Sequence, residues 1–257
     1  MQFVLLSIGM FVCQLALAVS PSVEKYYGAD FISAYESGSL KDQSLLKSLQ
    51  EIISSGHHSL GYDGARRQLF GKLYLKNVAG NYEVKDVYCE KSFTDHEVNL
   101  GPGIIPDGNL LNTEHTWPQS RFTNRFPKEV QKSDLHHLFP TDNKMNSHRG
   151  NLRFGEVVEE IENLKCPIAH LGHGESGEIV FEVPEHHKGN AARAIFYFAT
   201  RYQMQISDEE EAQLRDWSEQ DPVDTEEAAR NEEIQKVQGN RNPYIDFPEL
   251  VRKVSQF

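Results

Sequence analysis

The sequence predicts an α+β fold, a largely helical single domain carrying small β-hairpins, on three observations. Apolar residues recur at helical spacing in several segments along the chain. The β-prone runs between them are short and bounded by turn residues. Finally, 257 residues with 39% hydrophobic content and no long Gly/Ser- or Pro-rich linker are enough to fill one core.

Residues 3–19 are almost wholly apolar and end in Ala16-Leu17-Ala18, the small-x-small pattern that signal peptidase accepts. Cleavage after Ala18 is expected, leaving residues 19–257 as an exported domain, secreted or periplasmic. The run is broken by Ser7, Gly9 and Gln14 and is short for a membrane span, so no membrane association is expected. Cleavage removes Cys13 and leaves Cys89 and Cys166. In an oxidising compartment these two can form one disulfide; two separate buried thiols are the other reading, because sequence carries no distance between them.

Residues 40–54 place Leu45, Leu46, Leu49, Ile52 and Ile53 on one helical face that ends at Gly56. A second helical pattern covers 62–73, with Ala65, Leu69 and Phe70 inward and Arg66 and Arg67 on a solvated face. Residues 74–78 and 82–88 are β-prone and flank Gly80-Asn81, which predicts a hairpin leading to Cys89. Gly101-Pro102-Gly103 and Pro106-Asp107-Gly108 mark turns, so 109–113 reads as a short strand with Glu114 and His115 at its end. Pro118, Pro127 and the lack of any period make 116–132 a loop. Residues 135–139 form a second short strand, and Thr141 or Asp142 caps a helix over 144–149.

Gly172-His173-Gly174-Glu175-Ser176-Gly177 predicts a loop, and it lacks the Lys-Ser/Thr ending of a phosphate-binding loop, so no nucleotide cofactor is expected. His170 and His173 have metal-like spacing but no third ligand beside them. Residues 179–183 alternate as a strand up to Pro184. The segment 190–204 is the most hydrophobic helix after the leader, with Ala194, Ile195, Phe198 and Tyr202 in step. Ser207 with Glu210 three residues on forms a capping box for the next helix. A last helix covers 225–237, and Gly239 and Pro243 force the segment after it to turn or extend.

The formal net charge of −12 argues at first against a nucleic-acid partner, but the charge is unevenly placed. Residues 207–233 hold twelve acidic and two basic side chains, whereas 114–153 hold seven basic (Arg121, Arg125, Lys128, Lys132, Lys144, Arg149, Arg153) and four acidic ones. That second stretch is locally positive, as a polyanion-binding cleft requires.

The same stretch carries the chemistry. Hydrolysis of a phosphodiester needs a water deprotonated near neutral pH, a dication beside the phosphate and stabilisation of the departing alkoxide. His115, with an ordinary pKa near 6.5, can take the proton. Glu114 and Asn146 offer hard oxygens that suit Mg²⁺ or Ca²⁺ better than zinc. Neighbours on an ideal strand point to opposite faces, so the pair works only if the strand twists or ends there, and Thr116-Trp117-Pro118 provides an ending. A hairpin-like return would carry the Asn146 helix across that end.

Three blocks in order, Glu114-His115-Thr116-Trp117-Pro118-Gln119-Ser120, Asp134-Leu135-His136-His137-Leu138-Phe139-Pro140-Thr141-Asp142 running on to Asn146 and Arg149-Gly150-Asn151, and Gln238-Gly239-Asn240-Arg241-Asn242-Pro243-Tyr244, resemble the bacterial endonuclease I family. These are secreted or periplasmic nonspecific nucleases of the His-Me finger, or ββα-metal, class, and the similarity runs from about Tyr62 to the C-terminus. The resemblance implies a ββα-metal core, His115 as general base, and Glu114 and Asn146 as ligands of one Mg²⁺, with Ca²⁺ or Mn²⁺ as substitutes. It further implies sequence-nonspecific cleavage of DNA, and of RNA, leaving 5′-phosphate ends. A monomer is expected.

The family also uses an arginine near the phosphate. Arg121 and Arg125 are candidates by position, and Arg149 and Arg153 match the family's basic residues better. The loop after His115 is shorter than in enterobacterial and vibrio relatives and lacks their cysteines. His137 stands where the family commonly has Asn and is taken as noncatalytic, His136 as packed in its strand, and Asp134 as an anchor for an imidazole or a backbone N–H. A noncatalytic exported DNA-binding module on the same scaffold is the alternative. A Ser-His hydrolase is excluded by the lack of a Gly-x-Ser-x-Gly elbow.

Overall fold

A computed structural model describes residues 20–257; the expected leader and the expected cleavage after Ala18 fall outside the described residues. The chain divides into two compact units, Met1–Ser39 and Leu40–Phe257. The described part of the first is two short helices, α1 (Pro21–Tyr27) and α2 (Ala29–Glu36), which the sequence reading did not foresee. Ser20 caps α1 by accepting the Val23 N–H, and Gly28 makes the break at φ 83, a value only glycine adopts freely. Tyr27, Phe31 and Tyr35, four residues apart, stack along one face.

The second unit is α+β. Its first helix, α3 (Asp42–Ser55), buries Leu45, Leu49 and Ile53 as the spacing predicts. Next, α4 (Gly61–Gln68) runs into a π-helical turn, Leu69–Leu73. Gly71 is required in that turn, since a Cβ there would lie 2.3 Å from the Gly103 backbone nitrogen. The predicted hairpin forms as β1 (Lys76–Val78) and β2 (Asn81–Lys85), with β3 (Ser92–Thr94) adding a third antiparallel strand. Its turn falls one residue earlier than predicted, because Ala79 and Gly80 both take positive φ, as a two-residue hairpin turn demands.

The central pair is β4 (Leu111–His115) and β5 (Leu138–Asp142), antiparallel, with Glu114 opposite Phe139 and His115 opposite Leu138. Between them the predicted loop contains a 3₁₀ turn, Gln119–Arg121, and a short helix, α5 (Lys128–Lys132). The second strand begins at Leu138 rather than at residue 135, because the Asp134 carboxylate accepts the His136 N–H and caps a 3₁₀ turn over Leu135–His137. Asp142 then caps α6 (Asn143–Arg149), accepting from the Lys144 and Met145 N–H groups, as expected.

A four-stranded sheet follows: β6 (Arg153–Phe154), β7 (Glu159–Glu162), β8 (His170–His173) and β9 (Ile179–Glu182), in the order β6-β9-β8-β7. His170–His173 is therefore strand, and the glycine-rich turn is confined to the residues after it. The long helix α7 (Glu185–Tyr202) starts five positions before the predicted 190, directly after Pro184, and is buried along almost its whole length. It is flanked by α8 (Asp208–Gln220), capped by Ser207, by α9 (Thr225–Gln238) and by α10 (Pro243–Asp246), with a final 3₁₀ turn at Pro248–Lys253. One apolar cluster joins Ala65, Leu69 and Phe70 to Val84, Phe93, Leu111, Leu135, Leu138 and Ile234, fixing β4 and β5 against α4 and α9. Among the described residues no helix is long and apolar enough to cross a membrane.

Cys89 and Cys166 form a disulfide, with their Cα atoms 5.5 Å apart and a sequence separation of 77. It ties the loop after β2 to the segment before β8. Cross-linking across so long a loop restricts the unfolded chain by roughly 4 kcal/mol in the chain-entropy account. A Cys89→Ser/Cys166→Ser double variant should accordingly unfold at a lower denaturant midpoint and with a steeper slope, because the freed unfolded chain exposes more surface, and an unshifted midpoint would refute that contribution.

Candidate active site

The end of β4 is shaped by one arginine from α6. Arg149 donates to the His115 carbonyl at 2.9 Å and to the Thr116 carbonyl, and its Cζ lies 4.5 Å over the Phe154 ring. These two carbonyls lie at and just beyond the last residue of β4, where the ladder stops, so the guanidinium satisfies backbone that the sheet leaves open. Trp117 anchors the continuing chain, stacking on Phe198 of α7 and donating its indole N–H to the Arg121 carbonyl.

Glu114 is 1% exposed, and Arg149 Nη1 lies 2.8 Å from its Oε1. The aligned N–H groups of Arg149 go to the carbonyls, so neither Glu114 oxygen accepts a directed hydrogen bond. Burial raises the carboxyl's pKa, opposed by the Arg149 charge and the Tyr88 hydroxyl. Asn146, one turn before Arg149, donates its Nδ2 to the Thr113 carbonyl at 3.3 Å, which leaves its carboxamide oxygen without a protein donor.

The His115 side chain is 6% exposed and meets a different set of groups from those around Glu114, as alternation along a strand requires. Its Nε2 lies 3.1 Å from the Lys132 carbonyl and its Nδ1 3.4 Å from the Gln119 Nε2. An amide N–H needs a lone pair on Nδ1, so the ring carries its proton on Nε2 and gives it to Lys132. Tyr62, Phe122 and His137 surround the ring, with centroids at 5.6, 6.3 and 5.4 Å. Burial first, then His137, with the Lys132 and Arg149 charges acting the same way, holds the His115 pKa well below 6.5. At neutral pH it is an uncharged base.

The other nominated arginines lie elsewhere. Arg121 reaches Glu210 of α8 at 3.3 Å and the Asn151 carbonyl at 2.9 Å, and Arg153 Nε lies 3.7 Å from the same Glu210 oxygen. Arg125 donates to the Gln203 carbonyl. Arg149, one of the two better matches by sequence to a phosphate-binding arginine, is 1% exposed and braces Glu114 and the strand end instead. The sequence reading passed over Tyr62, Gln119 and Lys132 as groups around His115; Lys132 figured in it only as one of several basic residues in a positive stretch.

Behind the site lies a buried network around Asp134. Its carboxylate accepts from the hydroxyls of Tyr197 and Tyr202 and from Gln238 Nε2, each at 2.8 Å, besides the His136 backbone. Burial alone would raise this carboxyl, yet His57, His136, His137 and the Tyr197 hydroxyl outweigh it and hold it below its usual range. Asn240 donates to Tyr197 Oη and to the Ile53 carbonyl. The third sequence block is thus a structural lock on Asp134. His136 donates its Nε2–H to the Asn240 carbonyl and His137 donates its Nε2–H to the Gln131 carbonyl, so both are buried and hydrogen-bonded, His136 in the 3₁₀ turn before β5 rather than in the strand where it was expected to pack.

Glu114 and Asn146 fit a hard dication. A buried carboxylate without an aligned donor is costly on its own, and Asn146, whose amide N–H is taken by the carbonyl of the residue before Glu114, has its carboxamide oxygen left to accept. Among the described residues no group of three or more His, Cys, Asp or Glu is placed to hold a metal, so water and phosphate oxygens would complete such a shell.

The sequence profile of the family described as Endonuclease I matches residues 42–249. An extracellular ribonuclease of Bacillus subtilis is 34% identical over 88% of this chain and 79% of its own length, and one of Bacillus amyloliquefaciens is 33% identical over the same shares. An extracellular deoxyribonuclease of Aeromonas hydrophila is 30% identical over 45% of this chain and 49% of its own.

The packed imidazoles make stability depend on pH. Burial holds His136, His137 and His187 at about 3, about 4 and about 3, against 6.5 when exposed. Below 6.5 the unfolded chain therefore binds more protons than the fold does. The stability these groups protect is complete above that value and drains away as pH falls toward their folded pKa values. Between about pH 7 and about pH 5 each should withdraw up to about 2 kcal/mol, read as a falling urea midpoint. A midpoint constant over that interval would show that these rings titrate normally in the fold.

Proposed function

The chain belongs to the endonuclease I family, and on that premise we propose that it is a secreted, sequence-nonspecific endonuclease, hydrolysing phosphodiester bonds of DNA and RNA as a monomer. The observation that carries the reading is the end of β4, where an imidazole with a fixed tautomer adjoins a buried carboxylate that faces Arg149 at 2.8 Å but accepts no aligned hydrogen bond. The strand–strand–helix unit β4-β5-α6 is read as the ββα-metal core.

The Lys132 carbonyl holds His115 Nε2–H and leaves the Nδ1 lone pair to accept a proton from water. Gln119 touches that nitrogen only at 3.4 Å, a contact a water can replace. Glu114 and Asn146 would hold one Mg²⁺, for which Ca²⁺ or Mn²⁺ substitutes. When bound, the dication would polarise the phosphate and stabilise the departing 3′ oxygen, so that the product carries a 5′-phosphate. Arg149 opposes the rise that burial imposes on the Glu114 carboxyl and holds the β4 end, so that Glu114 and His115 keep their separate orientations. The same scaffold without catalysis, binding DNA alone, would have no use for a base held in a single tautomer.

A second reading makes RNA the main substrate. Both relatives aligned over 88% of this chain are named ribonucleases, whereas the deoxyribonuclease is aligned over 45%. Comparing kcat/KM on ribosomal RNA and on plasmid decides between them.

His115→Ala should lower plasmid nicking with Mg²⁺ by roughly 10²- to 10⁴-fold while leaving thermal unfolding in place. Full activity in that variant would remove His115 as the base. Glu114→Ala and Asn146→Ala should raise the Mg²⁺ concentration needed for half-maximal rate. Nicking that continues unchanged in excess EDTA would dismiss the metal site altogether.

A further inference from the structure

The arginines that sequence nominates for the phosphate are already engaged. Arg149 is buried against Glu114, and Arg121 and Arg153 share Glu210. A phosphodiester reaching His115 needs a cation that no carboxylate holds. Two such cations lie around one ring beside the base. Lys132 Nζ sits 4.0 Å from the Tyr62 ring centroid, and Arg66 Cζ lies 5.6 Å from the same centroid. The Tyr62 ring in turn stands 5.6 Å from the His115 ring. Among the described residues neither Lys132 nor Arg66 makes an ion pair, and Arg66 Nε is buried without a hydrogen-bond partner.

The arrangement is held from both sides. Tyr62 opens α4, and its backbone N–H is taken by the Glu129 carboxylate of α5 at 2.7 Å. Ser59 and Ser133, just outside the same two helices, hydrogen-bond at 2.7 Å. Glu129 is the nearby acid, and this N–H engages one of its oxygens. These two links fix α4 against α5, so Tyr62 must face Lys132. Residue 132 thereby acts at two points, since its carbonyl accepts from His115 Nε2 while its ammonium is held over Tyr62. An ammonium on an aromatic face keeps its charge and part of its hydration, and it can exchange water for phosphate oxygens at little cost.

We propose that Lys132, positioned by Tyr62 and with Arg66 beside it, is the cation that binds the nonbridging oxygens of the phosphodiester at His115. The proposal rests on the nuclease reading and names the group that receives its substrate. Lys132 touches the phosphate; Tyr62 is a positioning residue.

Lys132→Gln keeps the backbone carbonyl and removes only the charge. It should lower kcat/KM for plasmid by ~10- to 100-fold, the worth of a charge-assisted hydrogen bond. Lys132→Arg should retain most activity, Tyr62→Leu should follow Lys132→Gln, and Tyr62→Phe should behave as the wild type. Binding of a fluorescein-labelled DNA duplex in EDTA, read by anisotropy, supplies a second measurement free of turnover. There Lys132→Gln should reduce the slope of log affinity against log salt by about 1. Wild-type affinity and rate in a folded Lys132→Gln variant would overturn the proposal, as would a larger loss in Arg121→Gln or Arg153→Gln. Failure of the wild type to nick at all would instead remove the nuclease reading, and the binding measurement would still decide on Lys132.

Discussion

Arg149 sits at the end of β4 with 1% of its surface exposed, binding the carbonyls of His115 and Thr116 while its charge faces Glu114. Everything the site does depends on that guanidinium. A strand ending in the interior leaves carbonyls that water cannot reach, and a carboxylate beside them would be too costly to keep ionised alone. One planar group with several donors answers both needs at once, which a lysine's point charge could not do. The consequence is that the arginine most suggestive of substrate binding in sequence is spent on holding the strand. Substrate contact is left to groups that lie outside the strand–strand–helix unit.

Asp134 makes the second layer. Its carboxylate gathers the hydroxyls of two α7 tyrosines, the Gln238 amide and the His136 backbone in one dry pocket. The four donors come from three stretches of chain, so the pocket closes only when α7, the end of α9 and the turn before β5 have all docked. A fully satisfied network of this kind specifies a single arrangement more than it adds net stability. It also explains why distant sequence blocks resemble one family together: they are parts of one hydrogen-bonded knot behind β5 and its preceding turn.

Much of this was legible in the sequence. Helical spacing located α3 and α7, a last helix was expected where α9 lies, cap chemistry placed the starts of α6 and α8, and turn residues placed the first hairpin to within one residue. The reading failed where a side chain overrode local preference. Asp134 converts the first half of a β-prone run into a 3₁₀ turn, and α5 forms between prolines because Ser59 and Tyr62 reach it from α4's end of the chain. The antiparallel return that brings α6 to Glu114 was anticipated from the turn order. Arg149's partner was not, because nothing local distinguishes a buried arginine from an exposed one. Tyr62 and Lys132 are seventy residues apart and meet only through α4 and α5 packing, a pairing no local pattern records.

The net charge of −12 looks unsuited to a polyanion, yet the acids are largely committed. Glu227 holds Arg193, Glu211 holds Arg215, and Glu210 lies between Arg121 and Arg153. Asp208, Glu209, Glu210 and Glu211 also occupy the first turn of α8, where the helix dipole favours them. Such charges act as pairs and caps more than as a long-range field. At physiological ionic strength the Debye length is about 8 Å, so a strand of nucleic acid approaching His115 responds to the groups within that distance. Around His115 stand a carboxylate offset by Arg149, two cations at the Tyr62 ring and the Glu129 carboxylate on the Tyr62 N–H, a balance far less negative than that of the chain as a whole.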